Sequence, residues 1–251
     1  MFPNPWDGGS ARLLENMGYP ALATSSAACA ATLGRRDGKI TRDEALAHCR
    51  QIVQATKLPV AADLENGFAV EPTTVAETIR LAAAAGLVGG SIEDSTGDKD
   101  KPQYELSLAT DRIAAAVSAA RALPFHFTLT ARAENFLHGR KDLDDTIKRL
   151  QAFEAAGADV LYSPGLHDID TIRNVVSSVG KPFNLVMGFA DPTLTVPQLS
   201  EAGVKRISVG GAMERYALAA FLKSAREMKD HGAFTFVREM APIKEVRAAF
   251  R

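Results

Sequence analysis

The sequence predicts an α/β fold, a (β/α)8 TIM barrel, from three observations. Short β-strand patterns alternate with helical patterns along the whole chain, which is typical of a parallel sheet with helical crossovers. The length of 251 residues is close to the ~250 typical of one barrel. Seven strand patterns plus a truncated first strand at the N-terminus favour closure of the sheet. A doubly wound open sheet is the alternative fold, although the GxGxxG motif that often follows its first strand is missing.

The predicted strands are short runs that stop at small or polar residues. In the fourth run, Phe127 and Leu129 alternate with Thr130 and Arg132. We therefore expect the apolar set to face the helices and the polar set to face the barrel interior. On the same parity His126 is expected to be a packed histidine deep in the barrel. The seven runs cover residues 21–25, 59–65, 88–94, 125–132, 159–163, 183–187 and 206–209.

Helical patterns fill the intervals between the strands. Glycine follows several of them, for example Gly86 and Gly157, at the position where a helix commonly ends in a left-handed residue. No Pro/Ser-rich linker or break in composition divides the chain, so residues 1–251 are predicted to form a single TIM-barrel domain. The clearest helical patterns cover residues 41–56, 73–85, 106–122 and 143–156.

Composition excludes several classes of partner. The formal net charge is −1 and no Lys/Arg run stands out, so the sequence predicts no nucleic-acid partner. No segment has the ~18 uninterrupted apolar residues that a membrane span needs, so no membrane partner is expected. The N-terminus lacks the pattern of a secretory signal. Cys29 and Cys49 show no CxxC spacing, which indicates buried thiols in a reducing cytosol and a cytoplasmic protein.

Acidic residues cluster at two neighbouring strand ends. Asp63, Glu65 and Glu93 share the inward parity, and the carboxyl ends of barrel strands meet at the rim where active sites of this fold lie. Carboxylates held so close together repel each other unless a cation lies among them. The sequence therefore predicts a metal site at these three residues, with Mg²⁺ as the best fit and Mn²⁺ as an alternative. Solvated loop acids or helix caps are the competing interpretation.

An arginine and two serines lie at other strand ends. Arg132 offers a guanidinium that matches a carboxylate or phosphate in a bidentate fork, or that forms an internal ion pair with Glu93 or Glu134. Ser25 and Ser26 precede a small-residue segment, which we expect to be a loop whose amides bind an anion. The polar segment 95–102 is predicted to be a mobile lid. Its Lys99 and Lys101 either reach an anionic substrate or stay solvated.

At these residues the chain resembles the isocitrate lyase/phosphoenolpyruvate mutase superfamily, and most closely its oxaloacetate decarboxylase-like and carboxyvinyl-carboxyphosphonate phosphorylmutase-like members. The resemblance extends over nearly the whole chain. It implies a Mg²⁺-dependent barrel that makes or breaks C–C or P–C bonds beside a 2-oxo acid. The motifs that carry it are Pro3-Asn-Pro-Trp-Asp7, Ser10-Ala-Arg12, Thr24-Ser-Ser26, Leu33-Gly-Arg-Arg-Asp37, Ala62-Asp-Leu-Glu-Asn-Gly67, Ser91-Ile-Glu-Asp94 and Thr130-Ala-Arg-Ala-Glu-Asn-Phe136.

The resemblance also implies roles for individual residues. Asp63 would bind the metal directly and contact the substrate, while Glu65, Glu93 and Asp37 would hold the metal's waters. Ser25 and Ser26 would donate hydrogen bonds to the 2-oxo acid, and Arg132 would bind its carboxylate or the departing group. Arg132, Asp37 and Glu93 are the expected catalytic residues. A C-terminal helix would pack on a neighbouring subunit, which gives dimers paired into homotetramers.

Segment 95–102 departs from both branches of the family. Lyases that cleave isocitrate or methylisocitrate carry a Cys-Gly-His sequence there, and mutases carry Lys-x-Asn, but this chain has Lys99-Asp-Lys101. We therefore expect a lyase or hydrolase of a small 2-oxo or 2-hydroxy di- or tricarboxylate, with oxaloacetate-like substrates preferred over isocitrate. The alternatives are a P–C bond enzyme acting on phosphonopyruvate and a barrel that binds a 2-oxo acid with little turnover.

Overall fold

A computed structural model describes residues 1–250 and contains a seven-stranded parallel sheet curved into a barrel. Neighbouring strands pair in the order in which they occur along the chain, and each follows the last through a helical connection. The predicted α/β barrel is confirmed. The strands are β1 (Leu22–Ala23), β2 (Val60–Asp63), β3 (Gly89–Glu93), β4 (Thr128–Arg132), β5 (Val160–Tyr162), β6 (Phe183–Val186) and β7 (Arg206–Ser208).

The helices form a layer around the strands. Their buried faces are rich in alanine and small aliphatic residues, so the helices pack closely on one another and on the sheet. A 3₁₀ helix, Thr235–Glu239, precedes the last of them. The helices are α1 (Gly8–Asn16), α2 (Ser26–Thr32), α3 (Arg42–Ala55), α4 (Pro72–Ala84), α5 (Leu106–Arg121), α6 (Leu143–Ala155), α7 (Ile169–Ser177), α8 (Val196–Glu201), α9 (Ala212–His231) and α10 (Ile243–Ala249).

The N-terminal segment 2–4 bridges the gap between β7 and β1. The Phe2 amide donates to the Ile207 carbonyl at 2.7 Å, and the Ala23 amide donates to the Pro3 carbonyl at 3.0 Å. The buried Asn4 side chain reinforces both sides: Nδ2 donates to the Thr24 carbonyl, and Oδ1 accepts from the amides of Val209 and Gly210. The segment therefore takes the place of the eighth strand, as the predicted truncated first strand requires.

Alternation along β4 sorts its side chains as predicted, except at the start. Phe127 and Leu129 are fully buried against the helices, whereas Thr130 and Arg132 line the barrel interior. The prediction for His126 is wrong: this residue is exposed and lies before β4, at the amino-terminal side of the barrel. The strand begins at Thr128, three residues later than the pattern indicates, so the alternation does not extend to position 126.

Helix boundaries follow the sequence signals closely. Thr41 caps α3 by accepting from the Glu44 amide while the Glu44 side chain accepts from the Thr41 amide. At the other end of such helices, Gly86 and Gly157 adopt φ of +92° and +98°, a conformation that costs any other residue strain. Thus α3, α4, α5 and α6 end within one residue of the predicted limits.

The C-terminal part of the chain lies outside the barrel core. In α9 and beyond, Tyr216, Phe221, Phe234 and Met240 expose from 62% to 82% of their surface. These exposed apolar residues lie in the part of the chain that the resemblance expects to pack on a neighbouring subunit. No helix within residues 1–250 is both long and apolar enough to cross a membrane.

Candidate active site

Three predicted site residues meet at the carboxyl ends of neighbouring strands. Asp63 ends β2, Glu93 ends β3 and Arg132 ends β4, and the register pairs Glu93 directly with Arg132. Nη1 of Arg132 lies 3.6 Å from Asp63 Oδ1 and 3.4 Å from Glu93 Oε2. Its Nε also donates to Glu134. Arg132 is therefore the counter-ion of three carboxylates, as the internal ion-pair interpretation of this residue expects.

Ser25 and Ser26 lie at the same rim, but the segment after them is a helix. The prediction of a loop is wrong, since Ser25 is the N-cap of α2 and Ser26 is its first residue. The amide and hydroxyl of Ser26 donate to Asp63 Oδ2 at 3.2 and 2.9 Å. These bonds hold the Asp63 carboxylate in one orientation and leave Oδ1 directed toward Arg132 and the Glu65 amide.

Glu65 is held in an unusual position beside this cluster. Its φ is +48°, which is uncommon for a residue with a side chain, and its buried Oε1 has no hydrogen-bond partner among the described residues. Burial first, and then the charges of Asp63 and Asp37, raise the pKa of Glu65 to about 8. An orphaned carboxylate oxygen with a raised pKa is a group that a proton or a cation would satisfy.

Negative charge exceeds positive charge around the rim. Burial raises the pKa of Glu93 well above its ordinary value, even though Arg132 opposes that shift. Burial and the charge of Asp63 also raise the pKa of Asp37, which lines a cleft of about 190 Å³ together with Glu65 and Glu93. One guanidinium thus stands among five carboxyl groups, those of Asp37, Asp63, Glu65, Glu93 and Glu134.

The site contains no ready set of three direct metal ligands. Across the part of the chain that the structure describes, no three His, Cys, Asp or Glu side chains lie close enough together to hold one ion. A cation bound by one carboxylate, with the other carboxylates held through water, does not require such convergence, and Mg²⁺ usually keeps several of its waters. The donor set and the orphaned oxygen of Glu65 fit a cation of that kind.

His138 is a site residue that sequence reasoning missed. It lies on the loop after β4 and lines the same cleft as Glu93 and Arg132. Its Nε2 is 3.1 Å from Ser95 Oγ and 3.8 Å from Glu134 Oε2, and burial lowers its pKa. The only available signal was its position six residues after Arg132, within the loop that follows a strand carrying an active-site candidate.

Sequence reasoning also missed Arg112, which positions the segments that follow β2 and β3. It projects from α5 and is 1% exposed. Its guanidinium donates to the carbonyls of Asn66, Ala69 and Val70 after β2, and to the carbonyl of Glu93. Because these bonds tie the segments after β2 and β3 to one side chain, Arg112 fixes the spacing between Glu65 and Glu93.

Segment 95–102 folds back on itself beside the cleft. Ser95 forms an antiparallel bridge with Gln103, and the Thr96 amide donates to the Pro102 carbonyl at 3.0 Å. Lys99 and Lys101 are exposed, and neither lines the clefts around Asp63 and Glu93. In this arrangement the solvated interpretation of both lysines holds.

Comparison with known proteins relates this site to one enzyme family. A family model described as phosphoenolpyruvate phosphomutase matches residues 1–229. The chain is 32% identical over 221 residues to 2-methylisocitrate lyase of Escherichia coli, across 84% of this chain and 71% of the relative. It is 30% identical over 249 residues to oxaloacetate decarboxylase of Bradyrhizobium diazoefficiens, across 96% of this chain and 81% of the relative.

A solved structure shows the same architecture. It is the crystal structure of a Burkholderia cenocepacia protein provisionally described as a lyase/mutase, 57% identical to this chain with a TM-score of 0.96. The superposition covers 99% of this chain and 89% of that chain. The barrel and the order of its elements are therefore shared with an experimentally determined relative.

Proposed function

Since the chain belongs to the phosphoenolpyruvate phosphomutase family, within the isocitrate lyase/phosphoenolpyruvate mutase superfamily, we propose that it cleaves a carbon–carbon bond of a small 2-oxo or 2-hydroxy carboxylate. We propose further that the reaction depends on a divalent cation, Mg²⁺ or Mn²⁺, and that oxaloacetate-like substrates are preferred. The relatives named above carry out lyase or decarboxylase reactions according to their names, and this supports the reaction class.

The observation that carries the proposal is the excess of carboxylates around Arg132. Five carboxyl groups share one guanidinium, and Glu65 keeps a buried oxygen without a partner. Asp63 would hold the cation directly, since its carboxylate is already oriented by Ser26. Glu65, Glu93 and Asp37 would hold the cation's waters. When bound, such a cation acts as a Lewis acid that polarises a 2-oxo group and stabilises developing enolate charge.

The chain's own residues would orient the substrate and balance its charge. Arg132 neutralises Asp63 and Glu93 and keeps Nη2 free of hydrogen bonds to residues 1–250, so a substrate oxygen has a donor there. Ser25 lines the interior cavity below the rim and offers a hydroxyl. His138, held by Ser95, lies where it could exchange a proton with a group in the cleft.

Preference for oxaloacetate-like substrates follows from what segment 95–102 lacks. The sequence of that segment contains no thiol and no histidine, and neither of its two lysines lines the clefts around the acidic cluster. A departing carbanion of the isocitrate type needs a proton donor with a pKa matched to neutral pH. Loss of CO₂ or of a small acyl group from a chelated 2-oxo acid requires less from this segment.

A phosphorus–carbon bond enzyme is the second candidate, because the matching family model is named for a phosphomutase. The test of both candidates is product analysis with the purified chain and Mg²⁺. Release of pyruvate or oxalate from oxaloacetate supports the proposal. Conversion of phosphonopyruvate without turnover of any 2-oxo dicarboxylate would favour the second candidate. Tight binding of a 2-oxo acid with no product at all would indicate a binding barrel.

A further inference from the structure

Below the rim, the barrel interior contains a guanidinium that has no carboxylate partner among residues 1–250. Arg206 is the first residue of β7, and its side chain lines the cavity under Asp63. Its Nε donates to Asn184 Oδ1 at 2.9 Å and its Nη2 donates to Thr130 Oγ1 at 2.7 Å. The guanidinium also lies 5.0 Å from the centroid of the Phe2 ring. Its Nη1 has no hydrogen-bond partner among residues 1–250.

Arg206 combines a free Nη1 with the lack of a carboxylate partner, and none of the other interior arginines within residues 1–250 has both features. Arg132 has three carboxylates and Arg149 has two, those of Asp94 and Asp145. Arg112 donates to four backbone carbonyls. Burial lowers the pKa of Arg206 to about 10, so the side chain stays charged at neutral pH. A largely buried charge with neutral partners is costly to maintain.

The cavity that Arg206 lines contains several polar groups and is continuous with the candidate active site. It has a volume of about 60 Å³ and extends from Ser25, Asp63 and Arg132 at the rim to Arg206. On this measure roughly 10–15 Å³ accommodates one water molecule, so the space takes a small carboxylate but not a whole tricarboxylate. Asn184 and Ser208 supply further buried polar atoms to its lining.

We propose that Arg206 binds the carboxylate of the substrate next to its 2-oxo group, so that the small acid end of the molecule enters the barrel interior. This inference rests on the proposed function. Arg132 already has three protein carboxylates as counter-ions, whereas Arg206 has an unused donor and no counter-ion among residues 1–250. A carboxylate is the smallest ligand group that supplies both the acceptor and the missing negative charge.

Two variants of the full chain test this inference. Arg206→Gln removes the charge but keeps a side chain able to bond Asn184 and Thr130. Asn184→Asp instead places a carboxylate on the atom that accepts from Arg206 Nε, which supplies an internal counter-ion. Arg173→Gln is the matched control, because Arg173 is an exposed residue of α7 paired with Asp170. Oxalate is the probe, titrated calorimetrically with Mg²⁺ and, separately, in excess EDTA.

The expected result is at least a tenfold rise in the oxalate dissociation constant for both site variants and less than a twofold change for the control. Both site variants are expected to melt at or above the wild-type temperature, because an unpaired buried charge has been removed or paired. Wild-type oxalate affinity in Arg206→Gln or Asn184→Asp would overturn the inference. A wild-type chain that binds no oxalate, either with Mg²⁺ or in excess EDTA, would also overturn it.

The same data separate this inference from the proposed function. Oxalate binding that depends on Arg206, in a chain that turns over no 2-oxo acid, would support the anion site and reject the proposed reaction. Turnover of a 2-oxo acid with an unchanged KM in Arg206→Gln, together with unchanged oxalate affinity, would reject the inference alone.

Discussion

At the scale of single residues, Asp63 connects the serines of α2 with the charge cluster at the rim. Ser26 holds one of its oxygens and Arg132 approaches the other. We predict that Asp63→Asn lowers kcat/KM by at least about 10²-fold, the loss typical for removing one strong electrostatic contact to a transition state. Steady-state rates over a range of Mg²⁺ concentrations measure this, and circular dichroism checks that the fold is retained.

The matched control for that variant is Asp170→Asn, since the Asp170 side chain is 87% exposed on α7 and pairs with Arg173 rather than with a residue of the acidic cluster. Its rates should equal those of the wild type. An Asp63→Asn variant with wild-type activity and unchanged Mg²⁺ dependence would show that this carboxylate does not hold the cation.

Glu65 gives a second residue-scale prediction, about pH and stability. Its pKa is about 8 in the folded chain and about 4.3 in an unfolded one, so the folded state binds the extra proton between those values. Without a divalent cation, stability should therefore fall as pH rises from about 4.3 through 8. The midpoint of thermal unfolding measures this, at about 2–4 °C for each kcal/mol in a chain of this size.

Glu65→Gln is the control for the pH prediction, because a neutral amide cannot titrate and the slope between pH 5 and 8 should become flatter. Added Mg²⁺ should have a similar effect in the wild type, since a cation replaces the proton. A wild-type melting temperature that rises across this range in EDTA would contradict the assignment of a raised pKa to Glu65.

The inward and outward alternation of side chains along the strands was sufficient to predict that some site residues lie together, but it did not identify others. Asp63, Glu93 and Arg132 lie at strand ends, where alternation and parallel register fix both side and height. His138, Arg112 and Arg206 act through long side chains or loops that reach from other elements. The local periodicity of the sequence does not predict such long-range contacts, so these three residues could be identified only from the folded structure.

At the scale of elements, the extended segment 2–4 completes the ring of strands. Asn4 is 4% exposed, and its amide group makes three hydrogen bonds, to β1 on one side and to the end of β7 on the other. We predict that Asn4→Ala destabilises the chain by about 2–3 kcal/mol, since buried backbone groups lose their partners. Chemical denaturation of this variant beside Asn16→Ala, an exposed residue at the end of α1, measures the difference.

The outcome against this prediction is equal stability of the two variants, which would mean that segment 2–4 does not close the barrel.

Most element boundaries could be read from the sequence because caps and glycines mark them. The exceptions are α2, where small residues after Ser25 form a helix, and the start of β4 at Thr128. Both depend on packing against neighbouring strands, which the local sequence does not record.

At the scale of the whole molecule, the exposed apolar residues of α9 and the following segment predict association. Phe221, Phe234 and Met240 are each more than 60% exposed, and an interface with another subunit would bury such large apolar side chains. We predict a homo-oligomer, a dimer or a pair of dimers, by light scattering at micromolar concentration. Phe221→Glu should shift the population toward smaller species, whereas Phe125→Glu, at an exposed position before β4, should not.

A monomer at that concentration would remove the basis for the predicted packing of a terminal helix on a neighbouring subunit.

The assignment of residues 1–251 to one domain also stays a prediction. A single cooperative unfolding transition, observed alike by fluorescence and by far-UV circular dichroism, is the expected behaviour of one domain.

The central claim is a cation-dependent cleavage of an oxaloacetate-like acid, and one set of initial rates tests it most directly. The wild-type chain is assayed with oxaloacetate, isocitrate and methylisocitrate, each with Mg²⁺ and each in excess EDTA. We predict that kcat/KM for oxaloacetate exceeds the values for both tricarboxylates, and that EDTA abolishes the difference by removing all activity. A kcat/KM for isocitrate or methylisocitrate above that for oxaloacetate, or full activity in EDTA, would contradict the account.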